Sequence, residues 1–320
     1  MSLPLFKALK HKFPSSYVYV MVPGRVKEIF YNNPYIDEVV EFDERTTHRS
    51  VISKIKFVKF LKGKNIDTAL FIHRSFTRVL LCMMAGIKQR IGFRRLKTSF
   101  LLTKKVRPPE AHRLHRADYY YSLVESLGIR LEDKIPHLTL SDEARGEAAH
   151  FLKQYRERYA YLIAINSSAN WALKRWPPQN FAQLIKDLVL LNCAVFLIGT
   201  KKQELLLHES FISSEGSVVN LCGKTTLSQL AALLSQMDLL ISSDSGPAHL
   251  AAALDRNVLA LFGPTSPALT APRGEKVTIL KESVNCDIPC YNLKCQDNIC
   301  MRNITPDAVL DKVKNILTDV

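Results

Sequence analysis

Short apolar runs alternate with longer amphipathic stretches along the whole chain. Tyr17–Val22, rich in aromatic and β-branched residues, reads as a strand, and so do Val39–Phe42 and Thr68–Ile72. Phe76–Ala85 and Arg116–Leu127 read as helices. The second half repeats the theme. Tyr161–Ile165, Ala194–Ile198, Val218–Leu221, Leu239–Ser242 and Val258–Phe262 are apolar runs bounded by Gly, Pro, Ser or Asn. Continuous apolar strands alternating with helices predict parallel sheets covered on both faces. Two such sheets in tandem make an α/β protein of two doubly wound, Rossmann-like domains, with ligands expected at the carboxyl ends of the strands. The polar helical segment Ser141–Tyr159 is the expected boundary, giving domains over residues 1–150 and 151–320. The start breaks the pattern. Leu3–Lys12 predicts an amphipathic helix ending before Pro14, where a doubly wound domain normally opens on a strand.

Composition supports this division. A chain of 320 residues that is 47% hydrophobic fills more than one core. No apolar run reaches the roughly 18–20 residues of a membrane span. No signal-peptide stretch follows Met1-Ser2-Leu3-Pro4. A cytoplasmic protein is expected. Residues 1–150 hold 27 Lys+Arg against 15 Asp+Glu, and residues 151–320 hold 17 against 15. A basic half attracts phosphate-rich partners, among them anionic membranes and phosphorylated lipids, although a solvated Lys-rich surface gives the same count. No aromatic-plus-basic platform or recognition helix favours nucleic acid.

Four segments carry candidate chemistry. Leu239–Ser242 is a buried strand, Asp244-Ser245-Gly246 a turn, and Pro247 suits the first position of a helix. Ser245 is placed to cap that helix, and Gly246 lets a ligand approach the backbone. The free N–H groups and positive dipole end there suit a diphosphate, with His249 one turn further on. Asn166–Pro177 follows another strand. Its Ser167 and Ser168 are small hydroxyl donors and Lys174 is a point charge for phosphate, while Trp176 reads as packing. Leu221-Cys222-Gly223-Lys224-Thr225-Thr226 is not a P-loop, because Val218 stands where that motif needs its first Gly. It reads as a strand end followed by a helix from near Thr226 to Ser235. Cys286, Cys290, Cys295 and Cys300 could bind zinc or an iron–sulfur cluster, but their spacings lack paired C-x2-C knuckles, and no metal site is assigned. Cys82, Cys193 and Cys222 read as small core hydrophobes.

Together these segments resemble the bacterial lipopolysaccharide heptosyltransferases, glycosyltransferase family 9, over nearly the whole chain. The matching stretches are Asn166–Pro177, Leu221 to Leu227, Asp244 to Ala252 and Leu261–Thr265, with a tail ending Cys300-Met301-Arg302-Asn303-Ile304-Thr305-Pro306. Asn33–Val39, Phe71–Phe76 and Ala85–Phe93 look most like the heptosyltransferase II type. The resemblance implies a GT-B fold with its active site in the cleft between the domains. It implies an enzyme transferring heptose, with inversion, from ADP-heptose to the inner core or lipid A-linked acceptor of lipopolysaccharide. The donor would be held by the C-terminal domain and the acceptor by the N-terminal one. By position, Lys174 and the Ser245–Gly246 turn would hold the diphosphate, and Asp244 and His249 would contact the sugar or phosphate. Glu204, just after Gly199, is a possible ribose contact. No cofactor beyond the donor substrate is implied, and the expected partners are nucleotide sugar, phosphorylated core acceptor and a peripherally contacted anionic membrane, with the protein a monomer.

The chain departs from the family in two places. Ser167-Ser168 stands where the family often has Pro-Gly. The family also opens on a strand and a Gly-Asp turn, whose Asp is its general base, before the helix that here begins near Met1. That Asp has no counterpart in the sequence, so no catalytic residue is assigned. Strand, loop and helix start amount to roughly fifteen residues. A start codon lying further upstream accounts for this, and so does a degraded paralogue that binds nucleotide sugar without turning over. A third reading is a GT-B enzyme, such as an epimerase, that uses another nucleotide sugar.

Overall fold

The computed structural model describes residues 1–110, 114–201, 216–290, 292 and 294–318. The chain separates into two compact units, Met1–Lys134 and Ile135–Val320. Ser141–Tyr159, where the boundary is expected, therefore lies inside the second unit as helix α5 (Asp142–Arg158). Its exposed polar surface looks like a connector, yet Ala148 and Leu152 are buried. Its ends are well specified: Ser141 accepts from the Ala144 N–H, Asp142 and Glu143 occupy the first turn, and Arg156 and Arg158 the last. The charge divides more sharply on this boundary. The first unit holds 26 Lys+Arg against 12 Asp+Glu, and the second 18 against 18.

In the first unit, α1 (Leu3–Lys12) is followed by β1 (Tyr19–Val22), β2 (Glu38–Glu41), α2 (Val51–Gly63), β3 (Thr68–Phe71), α3 (Phe76–Met84), β4 (Gln89–Phe93), β5 (Lys104–Val106) and α4 (Arg116–Glu125). All ladders are parallel, but they form two groups, β1-β2 and β3-β4-β5. Among the described residues β1 and β3 thus each have one strand neighbour. Apolar layers span both groups. Tyr19 and Met21 of β1 and Ala69 and Phe71 of β3 pack on one cluster around Phe42, Phe57, Leu61 and Leu81. On a second cluster, Leu5 and Ala8 of α1 meet Ala117, Tyr121 and Val124 of α4, with Leu70 and Ile72 against them. β4 and β5 escape sequence reading because Gln89-Arg90 and Lys104-Lys105 interrupt the apolar pattern.

The second unit is a six-stranded parallel sheet in the order β11-β10-β9-β6-β7-β8. Its strands are β6 (Tyr161–Asn166), β7 (Cys193–Leu197), β8 (Val218–Asn220), β9 (Leu239–Ser243), β10 (Asn257–Leu261) and β11 (Val277–Leu280). β7 and β9 are buried throughout, as continuous apolar strands in a doubly covered sheet should be. On one face Ile163, Ile165, Ile241 and Leu259 pack on α6 (Pro178–Leu190) and on a C-terminal helix, Pro306–Thr318, through Val309, Val313 and Leu317. Strand alternation points Leu162, Ala164 and Leu240 to the other face. α7 (Leu227–Leu234) begins with a Thr226–Gln229 capping box and packs against α5. The start near Thr226 expected from sequence is the observed one.

The chain runs outward from β6 through β7 to β8, then crosses back to place β9 on the other side of β6. The strand order therefore reverses between β6 and β9, and Asn166 is in register with Ser242 across that junction. In open parallel sheets this is where ligands bind.

Candidate functional site

Both segments singled out from sequence meet at this junction. β6 ends in Asn166-Ser167-Ser168, all buried. β9 ends in Ser243 and passes through Asp244 and Ser245 into α8 (Gly246–Ala253). Asn166 ties the two ends together. Its Nδ2 donates to Ser168 O at 3.1 Å, Ser242 Oγ at 3.0 Å and Ser245 Oγ at 2.8 Å, while Ser168 Oγ donates to its Oδ1 at 2.8 Å. The hydroxyls of Ser242 and Ser245 lie 2.8 Å apart. Ser245 occupies the N-cap position of α8 but its side chain makes no capping bond. It is turned toward Asn166 instead, so the first N–H groups of α8 are not taken up by the expected cap. A side chain placed at Gly246 would meet no atom within 4 Å. The helix start is open to an incoming group, and its partial positive charge suits an anion.

Asp244 is 6% exposed and organises the opposite wall. Its Oδ2 accepts from Lys174 Nζ at 2.7 Å, Thr265 Oγ1 at 2.8 Å and Thr270 Oγ1 at 3.2 Å. Lys174 comes from a turn of 3₁₀ helix after β6 (Ala172–Lys174), and the threonines from the segment after β10. A buried carboxylate beside an anion site repels an anion unless it is neutralised, and here one ammonium and two hydroxyls satisfy it. Asp244 therefore holds Lys174 and the Thr265–Thr270 segment beside the open helix end. Trp176 is packing, as expected: it is buried, meets Phe181 edge-on and donates from Nε1 to Ile304 O at 2.8 Å.

The site thus gathers Ser167, Ser168, Lys174, Asp244, Ser245 and Gly246, with His249 one turn into α8 and half-buried. Among the described residues, the Oγ atoms of Ser167 and Ser243 are buried without a hydrogen-bond partner. Glu204 lies outside the described residues. Asn166, Thr265 and Thr270 are the residues that sequence reasoning passes over. Asn166 heads the segment Asn166–Pro177 but receives no role of its own there, and Thr265 and Thr270 stand just outside and inside a helix whose Ser266-Pro267 start could have signalled a loop folded back on the site. The tail cysteines collect loosely. Cys295 Sγ accepts from Asn298 N, Cys300 Sγ bonds Asn298 Oδ1, and Cys290 N donates to Pro264 O. Among the described residues no group of three or more His, Cys, Asp or Glu is arranged to hold a metal ion.

The first unit places His73, Arg74 and Ser75 at the carboxyl end of β3. Ser75 caps α3 by accepting from Arg78 N, and its Oγ donates to Glu44 Oε1 at 3.2 Å. The His73 ring meets Tyr120 edge-on at 4.9 Å. Burial, and then the nearby Arg78 charge, hold its imidazole below the ordinary value of 6.5. Both effects favour the neutral ring.

Comparison with known proteins agrees with this architecture. The family described as Glycosyltransferase family 9 (heptosyltransferase) matches residues 54–298. Lipopolysaccharide heptosyltransferase 2 of Escherichia coli is 27% identical over 292 residues, covering 88% of this chain and 84% of the relative. The enzyme of the same name from Salmonella typhimurium is 26% identical over 337 residues, covering 100% and 95%. Among solved structures, a family 9 glycosyl transferase from Veillonella parvula superposes with a TM-score of 0.89 at 21% identity, covering 100% of this chain and 93% of that one. The E. coli ADP-heptose lps heptosyltransferase II superposes at 0.81 and 24%, covering 99% and 94%. With a parallel sheet that opens an uncapped helix start at its strand-order reversal, and with a family match spanning most of its length, the chain belongs to glycosyltransferase family 9.

Proposed function

We propose that this protein transfers heptose from ADP-heptose to the inner core or lipid A-linked acceptor of lipopolysaccharide, with inversion at the anomeric carbon. The observation that carries the reading is the open start of α8 set beside the Lys174–Asp244 pair at the β6/β9 junction. The α8 N–H groups and Lys174 would take the diphosphate. As the glycosidic bond breaks, negative charge grows on the departing β-phosphate oxygen, and these fixed positive groups stabilise it without a metal. The 2.7 Å contact to Asp244 keeps Lys174 oriented before the donor arrives. His249 is placed to reach the sugar or phosphate. The first unit, with its excess of basic residues, receives the phosphorylated acceptor. The enzyme works as a monomer on the cytoplasmic face of the membrane.

Inverting displacement also needs a base for the acceptor hydroxyl proton, typically worth 10²–10⁴-fold. No described residue is assigned that role. For this reason a second reading is kept, in which the chain binds nucleotide sugar without transfer.

Calorimetry with ADP-heptose, ADP and a panel of UDP- and GDP-sugars separates these readings from use of another donor. Transfer is then followed as a mass increment on heptose-deficient acceptor. The proposal expects ADP-heptose to bind in preference to the panel, Lys174→Ala to weaken ADP roughly tenfold, and acceptor to gain one heptose. Preference for another nucleotide sugar would overturn the donor assignment, and tight binding without any mass increment would select the binding-only reading.

A further inference from the structure

Helix α2 buries Phe57 and Leu61 and turns the opposite side to solvent. That side is not the polar surface an outer helix face normally presents. Val51 is 71% exposed, Ile52 68%, Ile55 48% and Phe60 41%. At 3.6 residues per turn, Ile52, Ile55, Lys59 and Lys62 fall along one stripe, with Val51 and Lys56 at its edges. From Arg45 to Lys64 the sequence holds seven Lys or Arg and no Asp or Glu. Lys64 also lies over the Phe60 ring at 5.1 Å.

The surroundings have the same character. α3 packs beside α2, and a turn of 3₁₀ helix at Ser99–Leu101 packs on α3. Phe76 and Phe100 are exposed with ring centres 6.2 Å apart, and Leu96 is fully exposed. Between residues 45 and 109 stand 17 Lys or Arg against one acid, Asp67.

We propose that the outer face of α2 docks this protein on a bilayer rich in anionic lipid. The helix would lie in the membrane plane, with Ile52 and Ile55, and Val51 at their edge, at the headgroup boundary and its lysines on lipid phosphates. Two features select this occupant. The charge is complementary to an anionic surface and would repel a second copy of the same face. The exposed apolar residues of α2 are mostly aliphatic, which a membrane accepts, whereas single-stranded nucleic acid calls for aromatic platforms. The inference deepens the proposed function, because a lipid-linked acceptor requires the enzyme to work at a membrane.

The test is co-sedimentation of the whole protein with vesicles of phosphatidylcholine alone, or mixed with phosphatidylglycerol, at low and high salt. The wild type should partition onto the anionic vesicles only, and less so at high salt. I52S/I55S changes solvent-exposed positions only and should lower the partition at least tenfold. With each basic residue worth about fivefold near an anionic surface, K56Q/K59Q/K62Q should lower it roughly a hundredfold. Both variants should keep the wild-type affinity for ADP, which is read in the second unit. Equal binding to neutral and anionic vesicles would overturn the proposal. So would variants that partition like the wild type, or a dimer that Ile52 and Ile55 hold together in sedimentation velocity. Vesicle binding that follows the variants in a protein without affinity for ADP would leave the docking face standing and remove the donor assignment.

Discussion

Replacing Asp244 tests the reasoning about the candidate site most directly. Asp244→Ala removes the acceptor of three bonds, from Lys174 at 2.7 Å, Thr265 at 2.8 Å and Thr270 at 3.2 Å. Losing one member of a fully buried ion pair typically costs about 3–5 kcal/mol. Here the Lys174 side chain is 22% exposed and the Asp244 side chain 6%, so the ammonium left behind is partly hydrated and the low end applies. All three bonds end on the carboxylate and are charge-assisted, so with the ammonium partly hydrated the loss is at least about 3 kcal/mol in all. Asp244→Asn keeps an amide oxygen for the two threonines and loses the charge, for about 1.5 kcal/mol. Urea unfolding followed by tryptophan fluorescence measures both. The only tryptophans, Trp171 and Trp176, lie in the second unit, so the signal reports that unit alone. Midpoints should shift without a change in slope. In a double-mutant cycle, Asp244→Ala and Lys174→Ala should show a coupling of about 1–2 kcal/mol. An Ala variant within about 0.5 kcal/mol of wild type, the scatter of an ordinary surface change, would refute the argument. So would Asn and Ala variants that are equally unstable.

Three further outcomes follow from the same geometry. Because burial lowers the His73 pKa in the folded chain, the unfolded state takes up the proton first as pH falls below 6.5. Stability from this group is complete above that pH and is lost on acidification. His73→Phe, which keeps the ring against Tyr120, should flatten the acid limb of a circular-dichroism unfolding series, and an unchanged limb would contradict the assignment. Gly223 has φ +71°, and a Cβ there would lie 2.9 Å from Lys201 Cβ and 3.0 Å from its backbone. Gly223→Ala should therefore cost about 1–3 kcal/mol in the tryptophan-monitored transition, and a neutral change would show that the turn yields. Burial pushes the Cys82 and Cys193 thiols up to about 11, so at pH 8 a thiol reagent should label exposed Cys286 first and these two only after denaturation. Labelling of Cys82 in the native protein at the rate of Cys286 would count against the buried assignment.

What was legible in the sequence is what local pattern determines. β6, β7, β9 and β10 announce themselves because a strand covered on both faces is apolar at every position. The β9–α8 turn is legible because Gly246-Pro247 suits a helix start and little else. β4 and β5 were missed because their strand pairing, rather than their composition, makes them strands. Ser245 reads as a cap because Ser is a good one, and local pattern holds no sign that Asn166, 79 residues earlier, claims its hydroxyl. The same distance hid the roles of Thr265 and Thr270, whose partner Asp244 is 21 and 26 residues away. Ser141–Tyr159, a polar helical segment, reads as the place of the boundary because only Ala148 and Leu152 of its helix are buried.

The crossing-back of the chain at β9 also ties ligand binding to the completion of folding. The site needs β6 and β9 side by side, but the contacts that join them, Asn166 to Ser242 and Ser245, close loops of 76 and 79 residues. β7 and β8 are made in between and pair on the far side of β6. A chain ending before Leu239 would hold β6 and Lys174 but neither Asp244 nor the α8 helix end. If the proposed donor site is right, nucleotide affinity would arise only once β9 inserts, a closure whose entropic cost grows with these loop lengths. A donor bound there would act as a latch on that closure, and saturating nucleotide should then raise the unfolding free energy of the entire second unit by RT ln(1 + [L]/Kd), rather than quieting one loop.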